Sequence, residues 1–416
     1  MLSIRKKIAA SASLVLATAG VVAFVQSASP ATSVEPASSI EPTSSAARQK
    51  AAVRVSVVPG VIGPGKSLQK SGAAKWAVIG KYSPNKVGKK AKLQKLSGTS
   101  WVTAGKVKID KKGVALFAVP PAFASKPVTY RVDGPGAPSQ PVITSEWGTT
   151  SDFVDDFGGS RLNLTDWQHR QGEYYPESKR TCAKGSPKAV KVSRGTAKLS
   201  VLVDKNPPRR ICKPKKPGKN VIFGKFKYRL NANIGTQATH SIKYGVVAAR
   251  IKFQPLQGQH ASLWLQPTYL HEATTTGREV DIIEWFGKDV PNGGLTSFIY
   301  APSLGGDKLG IGPKKDGWIG DPEQYLMNEK DDWYKRYHVF SVEWTPSAYI
   351  FRIDGQETGR ITKRVGNATE YPILSILSSD YELSKLPGRD EKRNLPQTMY
   401  VDWIKTWQNP GYSAIP

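Results

Sequence analysis

Three acids fall within six residues in Gly277-Arg278-Glu279-Val280-Asp281-Ile282-Ile283-Glu284-Trp285-Phe286-Gly287. The interleaved Val and Ile read as a strand, and alternation along a strand places Glu279 and Asp281 on one face. Strict alternation sends Glu284 to the opposite face. A one-residue bulge after Asp281 returns it, and bulges of this kind re-aim side chains beside active sites. Three like charges on one face of a half-buried strand repel one another, and burial raises the pKa of at least one member. Solubility does not call for such a cluster in a chain with 33 acids against 60 bases. Two carboxyl groups about 5–5.5 Å apart, one ionised and one protonated, are what a retaining glycosidase uses. On spacing alone three other uses stay open: ligands of a structural calcium ion, the wet face of an ordinary strand, or a glycan-binding surface without turnover.

Sugar rings present apolar C–H faces, so a glycan cleft pairs aromatic platforms with hydrogen-bonding edges. Trp264 and Trp285 are the candidate platforms, and Trp318 and Trp333, in a Gly- and Asp-rich region, are candidates for a cleft wall. Trp344 and Trp403 read as packing residues, and His338 as a structural histidine. Five histidines without ligand spacing argue against metal catalysis, and no cofactor is expected. Cys182 and Cys212, thirty residues apart, are expected to form a structural disulfide.

The elements that hold these residues read as strands nearly throughout. With 38 Gly and 30 Pro among 416 residues, long helices are disfavoured. Leu199–Val203, Gly245–Phe253, Val339–Trp344, Tyr349–Ile353 and Met399–Trp407 are expected strands, with Asp354-Gly355 as a hairpin turn. A β domain over 148–410 is most economically a jelly-roll sandwich. Ahead of it, Arg5, Lys6 and Lys7 precede an uncharged run from Ile8 to Val25 and small residues to Ser33. That pattern reads as a cleaved export signal over 1–30, against the alternative of a retained anchor. Residues 31–50 are Ser-, Ala- and Pro-rich and read as a flexible tether.

Residues 51–134 show short alternating strands and read as an immunoglobulin-like β-sandwich, with Trp76, Tyr82, Leu93, Trp101, Leu116 and Phe117 as its core and 135–147 as a linker. From Ala51 to Glu146, 16 Lys+Arg face three acids, a net of +13 out of +27 for the chain. Such a surface attracts polyanions, and an anionic cell-wall polymer is the expected partner; the alternative is a solubilising face. No recognition-helix or RNP-like pattern points to specific nucleic acid.

Around the acids, Tyr244 to Phe253, Leu263-Trp264-Leu265-Gln266-Pro267, Tyr337 to Pro346, Ile353-Asp354-Gly355 and Met399 to Ile404 stand in an order that resembles glycoside hydrolase family 16, the laminarinase and lichenase group, from about Phe153 to Gln408. The resemblance implies a concanavalin-like jelly roll, with Glu279 as nucleophile, Glu284 as general acid/base and Asp281 as the acid between them. It also places Trp264 near the cleavage subsites and implies a secreted, monomeric endo-glycosidase of a β-linked polysaccharide. A transglycosylase or a non-catalytic glycan-binding protein is the alternative. Two departures stand out. His260 occupies a position where relatives acting on β-1,3-glucan often carry Trp, trading a stacking surface for a titratable group that would meet substrate. Ser375-Ile376-Leu377-Ser378-Ser379-Asp380-Tyr381-Glu382 replaces an Asn and paired glycines.

Overall fold

The structure, a computed structural model, describes residues 53–121, 126–147, 151–175, 178–214, 226–312, 316–383 and 395–413. The expected export signal and tether lie outside the described residues. All described residues belong to one compact unit.

Alternation builds the layer that carries the acids. In the strand His260–Pro267, Ala261, Leu263 and Leu265 enter the main core, which leaves His260, Ser262, Trp264 and Gln266 on the other face. This layer runs Asp307–Gly310, Leu295–Ala301, Glu279–Trp285, His260–Pro267, Glu370–Leu377 and Arg229–Gly235. The last of these strands belongs to two layers. Ala232 to Gly235 pair with Glu370–Leu377, whereas Arg229 to Asn231 pair with Ala197–Val203. From there the second layer continues through Gln397–Gln408, Gly245–Lys252, His338–Thr345, Ala348–Ile353 and Gln356–Ile361.

The inward faces of both layers meet in a single apolar core that includes Leu263, Ile283, Val247, Phe340 and Trp344. Phe253 and Trp285 stack across it at 6.1 Å. The result is an all-β jelly-roll sandwich. The Asp354-Gly355 turn joins two antiparallel strands with positive φ at both central residues, 46° and 80°, as a two-residue hairpin requires. His338 is structural: its Nδ1 lies 2.7 Å from Asp354 Oδ2 and its Nε2 3.5 Å from Asp331 Oδ2.

The N-terminal region forms two small sheets. One has three strands (Val53–Ile62, Lys75–Tyr82, Val114–Val119) and the other four (Ser100–Lys108, Lys90–Ser97, Thr129–Asp133, Val142–Ile143). Trp76, Tyr82, Leu93 and Phe117 are buried between them as expected. Leu116 packs against that core without being fully enclosed, whereas Trp101 is not part of it. Both are half-buried, and the Arg131 guanidinium covers the Trp101 ring at 4.3 Å, so that ring packs on the sheet's surface.

This small core does not close on itself. Val246, Ala248, Val339, Trp403 and Trp407, on the outward face of the second layer, complete it. Arg250 and Asp402 form a buried ion pair at the same junction. The Arg250 guanidinium also donates to the carbonyls of Gly63, Ser67 and Gly65, and Asp402 accepts from the Gln69 amide at 2.8 Å. The segment expected as a linker, 135–147, is likewise tied down. Thr144 and Trp147 are buried, and Trp147 Nε1 donates to the Val57 carbonyl at 2.6 Å. An indole with its N–H satisfied inside a core is part of the fold, not a tether.

Candidate active site

The acidic strand Glu279–Trp285 lies between His260–Pro267 and Leu295–Ala301, and both pairings slip at the same place. Asp281 pairs with Phe298 and Glu284 with Thr296, so three steps on the acidic strand match two on its neighbour. On the other side Trp264 pairs with Asp281 and Leu263 with Ile283. Ile282 is therefore the extra residue of a bulge, at the position the sequence predicted. Ile282 and Ile283 both enter the core, and the Ile282 carbonyl is satisfied by the Ser297 hydroxyl at 2.8 Å. Burying an isoleucine fully is worth about 1.5–3 kcal/mol, so two of them anchor the kink. Glu279, Asp281 and Glu284 emerge together on the face away from the core.

Each acid has a different environment. Glu279 Oε2 accepts from Gln266 Nε2 at 3.3 Å, and Gln266 is itself oriented by Arg170 Nη2 at 2.7 Å and the Tyr371 hydroxyl at 3.2 Å. Burial pushes the Glu279 carboxyl upward, whereas the Gln266 donor and the nearby Arg180 and Arg170 guanidiniums pull it back. Asp281 is buried, and its Oδ2 has no hydrogen-bond partner. Burial first, then the charges of Glu279 and Glu284, raises its pKa well above the ordinary value. Of Glu279 and Asp281, both raised by burial, Asp281 is raised further and holds its proton the more tightly. Glu284, with 13% of its side chain exposed, accepts from Ser262 Oγ at 3.4 Å and Thr296 Oγ1 at 3.2 Å. Tyr300 faces the trio, its phenol pushed up to about 12 by burial and by the three acids.

The candidate aromatic residues part company. Trp264 is on the acids' face, with its Nε1 donating to Ser375 Oγ at 3.1 Å and Arg170 over its ring at 5.2 Å. Trp285 is not on that face: alternation resumes after the bulge, and the indole sits in the core with its Nε1 donating to the Gln254 carbonyl at 2.6 Å. Trp333 is also a core residue, against His338 and Phe340. Trp318 is half-buried beside Phe286, whose ring lies 5.5 Å away. His260 faces the acids but is not open to a ligand. It is 3% exposed, with Phe286 and Tyr381 beside its ring and Glu382 on its Nδ1 at 2.8 Å.

Sequence reading missed Ser262, Gln266 and Thr296 as supports of the acids. Ser262 and Gln266 share the alternation of Trp264 and were findable; Glu382 comes from 122 residues away and left no local signal. Cys182 and Cys212 form the expected disulfide, against which Leu383, next to Glu382, packs. Among the described residues no group of three His, Cys, Asp or Glu side chains is arranged to hold a metal ion.

The chain is 22% identical over 294 residues to the glucan endo-1,3-beta-glucosidase A1 of Niallia circulans, covering 66% of this chain and 39% of that protein. It is 26% identical over 175 residues to a beta-glucanase of Fibrobacter succinogenes, covering 41% of this chain and 45% of that protein. The chain thus spans less than half the length of each of these relatives. The solved endo-beta-1,3-glucanase of Pyrococcus furiosus superposes with a TM-score of 0.47 at 19% identity, over 62% of this chain and 94% of that one. The sequence profile of glycosyl hydrolases family 16 matches residues 184–405, a span that holds all three acids and more than half of the sequence, and the chain belongs to that family.

Proposed function

We propose that the protein is a secreted retaining endo-glycosidase that hydrolyses a β-linked glucan, with β-1,3 or mixed linkages. The observation that carries this reading is the face shared by Glu279 and Glu284 on either side of a buried Asp281, each glutamate held by its own side-chain donors. The substrate class rests on the names of the relatives above.

In the first step the Glu279 carboxylate bonds to the anomeric carbon as the glycosidic C–O bond breaks. The departing electron pair goes to the leaving oxygen, which takes the proton of Glu284. In the second, Glu284, now a carboxylate, takes a proton from water, whose oxygen displaces Glu279 from the anomeric carbon. Two inversions give net retention. Asp281, holding its own proton between the glutamates, keeps a third negative charge out of the site.

Two further elements of this reading concern the rest of the chain. Residues 51–134 act as an immunoglobulin-like accessory module for an anionic cell-wall polymer. Lys90 stands directly opposite Lys108, a like-charge pair that an anionic polymer would relieve, and this supports the reading; Lys92, opposite Lys106, is already met by Asp133 at 3.6 Å. Export is supported by the Cys182–Cys212 disulfide, which favours an oxidising compartment.

The test is Glu279→Ala on soluble β-1,3- and mixed-linkage glucans. Turnover should fall by about a thousandfold or more with the circular dichroism and Tm preserved, azide should restore part of it, and NMR should show products of retained configuration. Near-normal turnover by the variant, or inverted product, would overturn the assignment.

A further inference from the structure

Behind Glu284, on the side away from Glu279, stands a second pair of titratable groups that the mechanism above leaves unused. His260 Nδ1 lies 2.8 Å from Glu382 Oε1, and His260 Nε2 lies 3.8 Å from Glu284 Oε1. Both members of the pair are almost wholly buried, with side-chain exposures of 4% and 2%. Glu382 is fixed in turn: its Oε2 accepts from the Ser379 backbone N–H at 3.0 Å. The turn that carries it is braced from outside. Asp380 Oδ1 accepts from the Cys182 backbone N–H at 3.4 Å, and Leu383 packs with the Cys182–Cys212 disulfide. The imidazole is clamped between the rings of Phe286, at 5.4 Å, and Tyr381, at 6.4 Å.

We propose that His260, oriented and charge-balanced by Glu382, is a positioning residue that steadies the carboxylate of Glu284 during the half of the cycle in which that carboxylate has given up its proton. The geometry sets the roles. With Nδ1 committed to Glu382, the ring nitrogen left to face the acid is Nε2, and it carries an N–H toward Glu284 when the ring is the imidazolium, which donates from both nitrogens. Nε2 lies 3.8 Å from Glu284 Oε1, within ion-pair reach but too far for a hydrogen bond. The remaining oxygen, Oε2, is the one that Thr296 contacts. No proton leaves His260 in the cycle; its charge is fixed while that of Glu284 alternates.

Four groups face His260, from three elements. Glu382 lies on the turn after Glu370–Leu377, Glu284 on the acidic strand, Arg180 ahead of the disulfide, and the Tyr381 phenol beside Glu382. Burial and Arg180 disfavour the imidazolium; Glu382 and Glu284 favour it and prevail, so His260 keeps its proton to higher pH than an ordinary histidine. The Tyr381 phenol is raised well above its usual range by burial and is neutral there. Consequently the cation beside Glu284 persists to higher pH than a free histidine would allow. It favours the carboxylate needed to activate water and opposes the protonated form needed to release the leaving sugar.

The proposal's kinetic half rests on the hydrolytic reading; its titration half does not. In the full chain, the 15N-labelled imidazole of His260, assigned by its disappearance in His260→Gln, should titrate above the range of a free histidine, and Glu382→Gln should bring it down by about one pH unit or more. On a soluble β-1,3-glucan, both His260→Gln and Glu382→Gln should move the basic limb of the kcat/KM profile upward by about one pH unit. On an activated aryl glycoside, kcat and KM should fall together, because the second step slows. A residue that merely fills space would lower kcat or Tm without moving the limb. An imidazole that titrates like free histidine and ignores Glu382→Gln would overturn the proposal. So would superimposable pH profiles of wild type and both folded variants. If the wild type failed to cleave any glucan, the function would be in error and the imidazole titration alone would decide the pair.

Discussion

Asp281 has the most to lose by ionising, because its carboxyl is 4% exposed, its Oδ2 has no partner, and Glu279 and Glu284 flank it. Its raised pKa is also a statement about stability. The native chain keeps a proton that the unfolded chain releases above about pH 4, so folding loses free energy as pH rises from there toward the native value. Asparagine has the same shape and cannot ionise. Asp281→Asn is therefore expected to raise Tm at pH 7, by about 2–4 °C for each kcal/mol recovered, and to leave it unchanged near pH 3.5. Turnover should fall in the same variant, because an amide cannot share or pass on the proton that Asp281 holds between the glutamates. Differential scanning calorimetry at the two pH values checks this, and an equal or lower Tm at pH 7 would show that the carboxyl is comfortable as an anion. The same arithmetic separates Asp281 from His338, which sits between Asp331 and Asp354 with its pKa raised to about 9. There the native state holds the proton on a base, and the stabilisation is complete below about pH 6.5 and lost as pH climbs through 9.

The bulge is the element that makes a site from a strand, and its registers say how it can be tested. Asp281 and Glu284 are three residues apart on the acidic strand, while their partners Phe298 and Thr296 are two apart. On the other side Trp264 and Ser262 are also two apart. Deleting Ile282 removes the mismatch on both sides at once, and strict alternation then still places all three acids on one face. The deletion variant is expected to fold, to lose about 2–5 kcal/mol for the missing core side chain, and to keep turnover within about a hundredfold of wild type. A crystal structure and a reducing-end assay check it. Loss as complete as that of Glu284→Ala, in a folded protein, would mean that the bulge sets the spacing of the acids and not only their side. The bulge was legible in the sequence because Glu284 breaks the period of Glu279 and Asp281, and periodicity is the signal that local sequence carries best. The jelly-roll strands were legible for the same reason. What failed was the orientation of single residues. Trp285 follows Glu284 directly, and the choice between cleft and core was settled only by the alternation that resumes after the bulge and turns it inward. Trp101, expected in the small core, stands on a strand at the edge of its sheet. The His260–Glu382 contact joins residues 122 positions apart, and no local pattern encodes a pair of that kind.

At the scale of the whole molecule, the acids and the basic sandwich lie on opposite outer faces of the jelly roll. Glu279, Asp281 and Glu284 face outward from the first layer, whereas Val246, Ala248, Val339, Trp403 and Trp407 face outward from the second and are covered by the sandwich. The two halves share one core, so the sandwich is not an appendage on a string. Gly60, at φ 57°, shows how close the approach is: a Cβ there would come within 2.4 Å of the Trp407 ring. A chain beginning at residue 148 should therefore behave badly. It would expose two tryptophans and three aliphatic side chains as one patch, and it would strip Arg250 of the carbonyls of Gly63, Gly65 and Ser67. A bare apolar patch of that kind drives association, and a buried ion pair stripped of its hydrogen bonds destabilises the fold. The expected outcome is a lower Tm and concentration-dependent oligomers by size-exclusion chromatography, while turnover per folded molecule persists because the acids lie on the far face. Replacing Trp403 and Trp407 by glutamine in the truncated chain should restore the monomer without restoring Tm. A truncated chain that stays monomeric with the Tm of the full chain would show instead that the shared core contributes no stability and that the sandwich is a separable module.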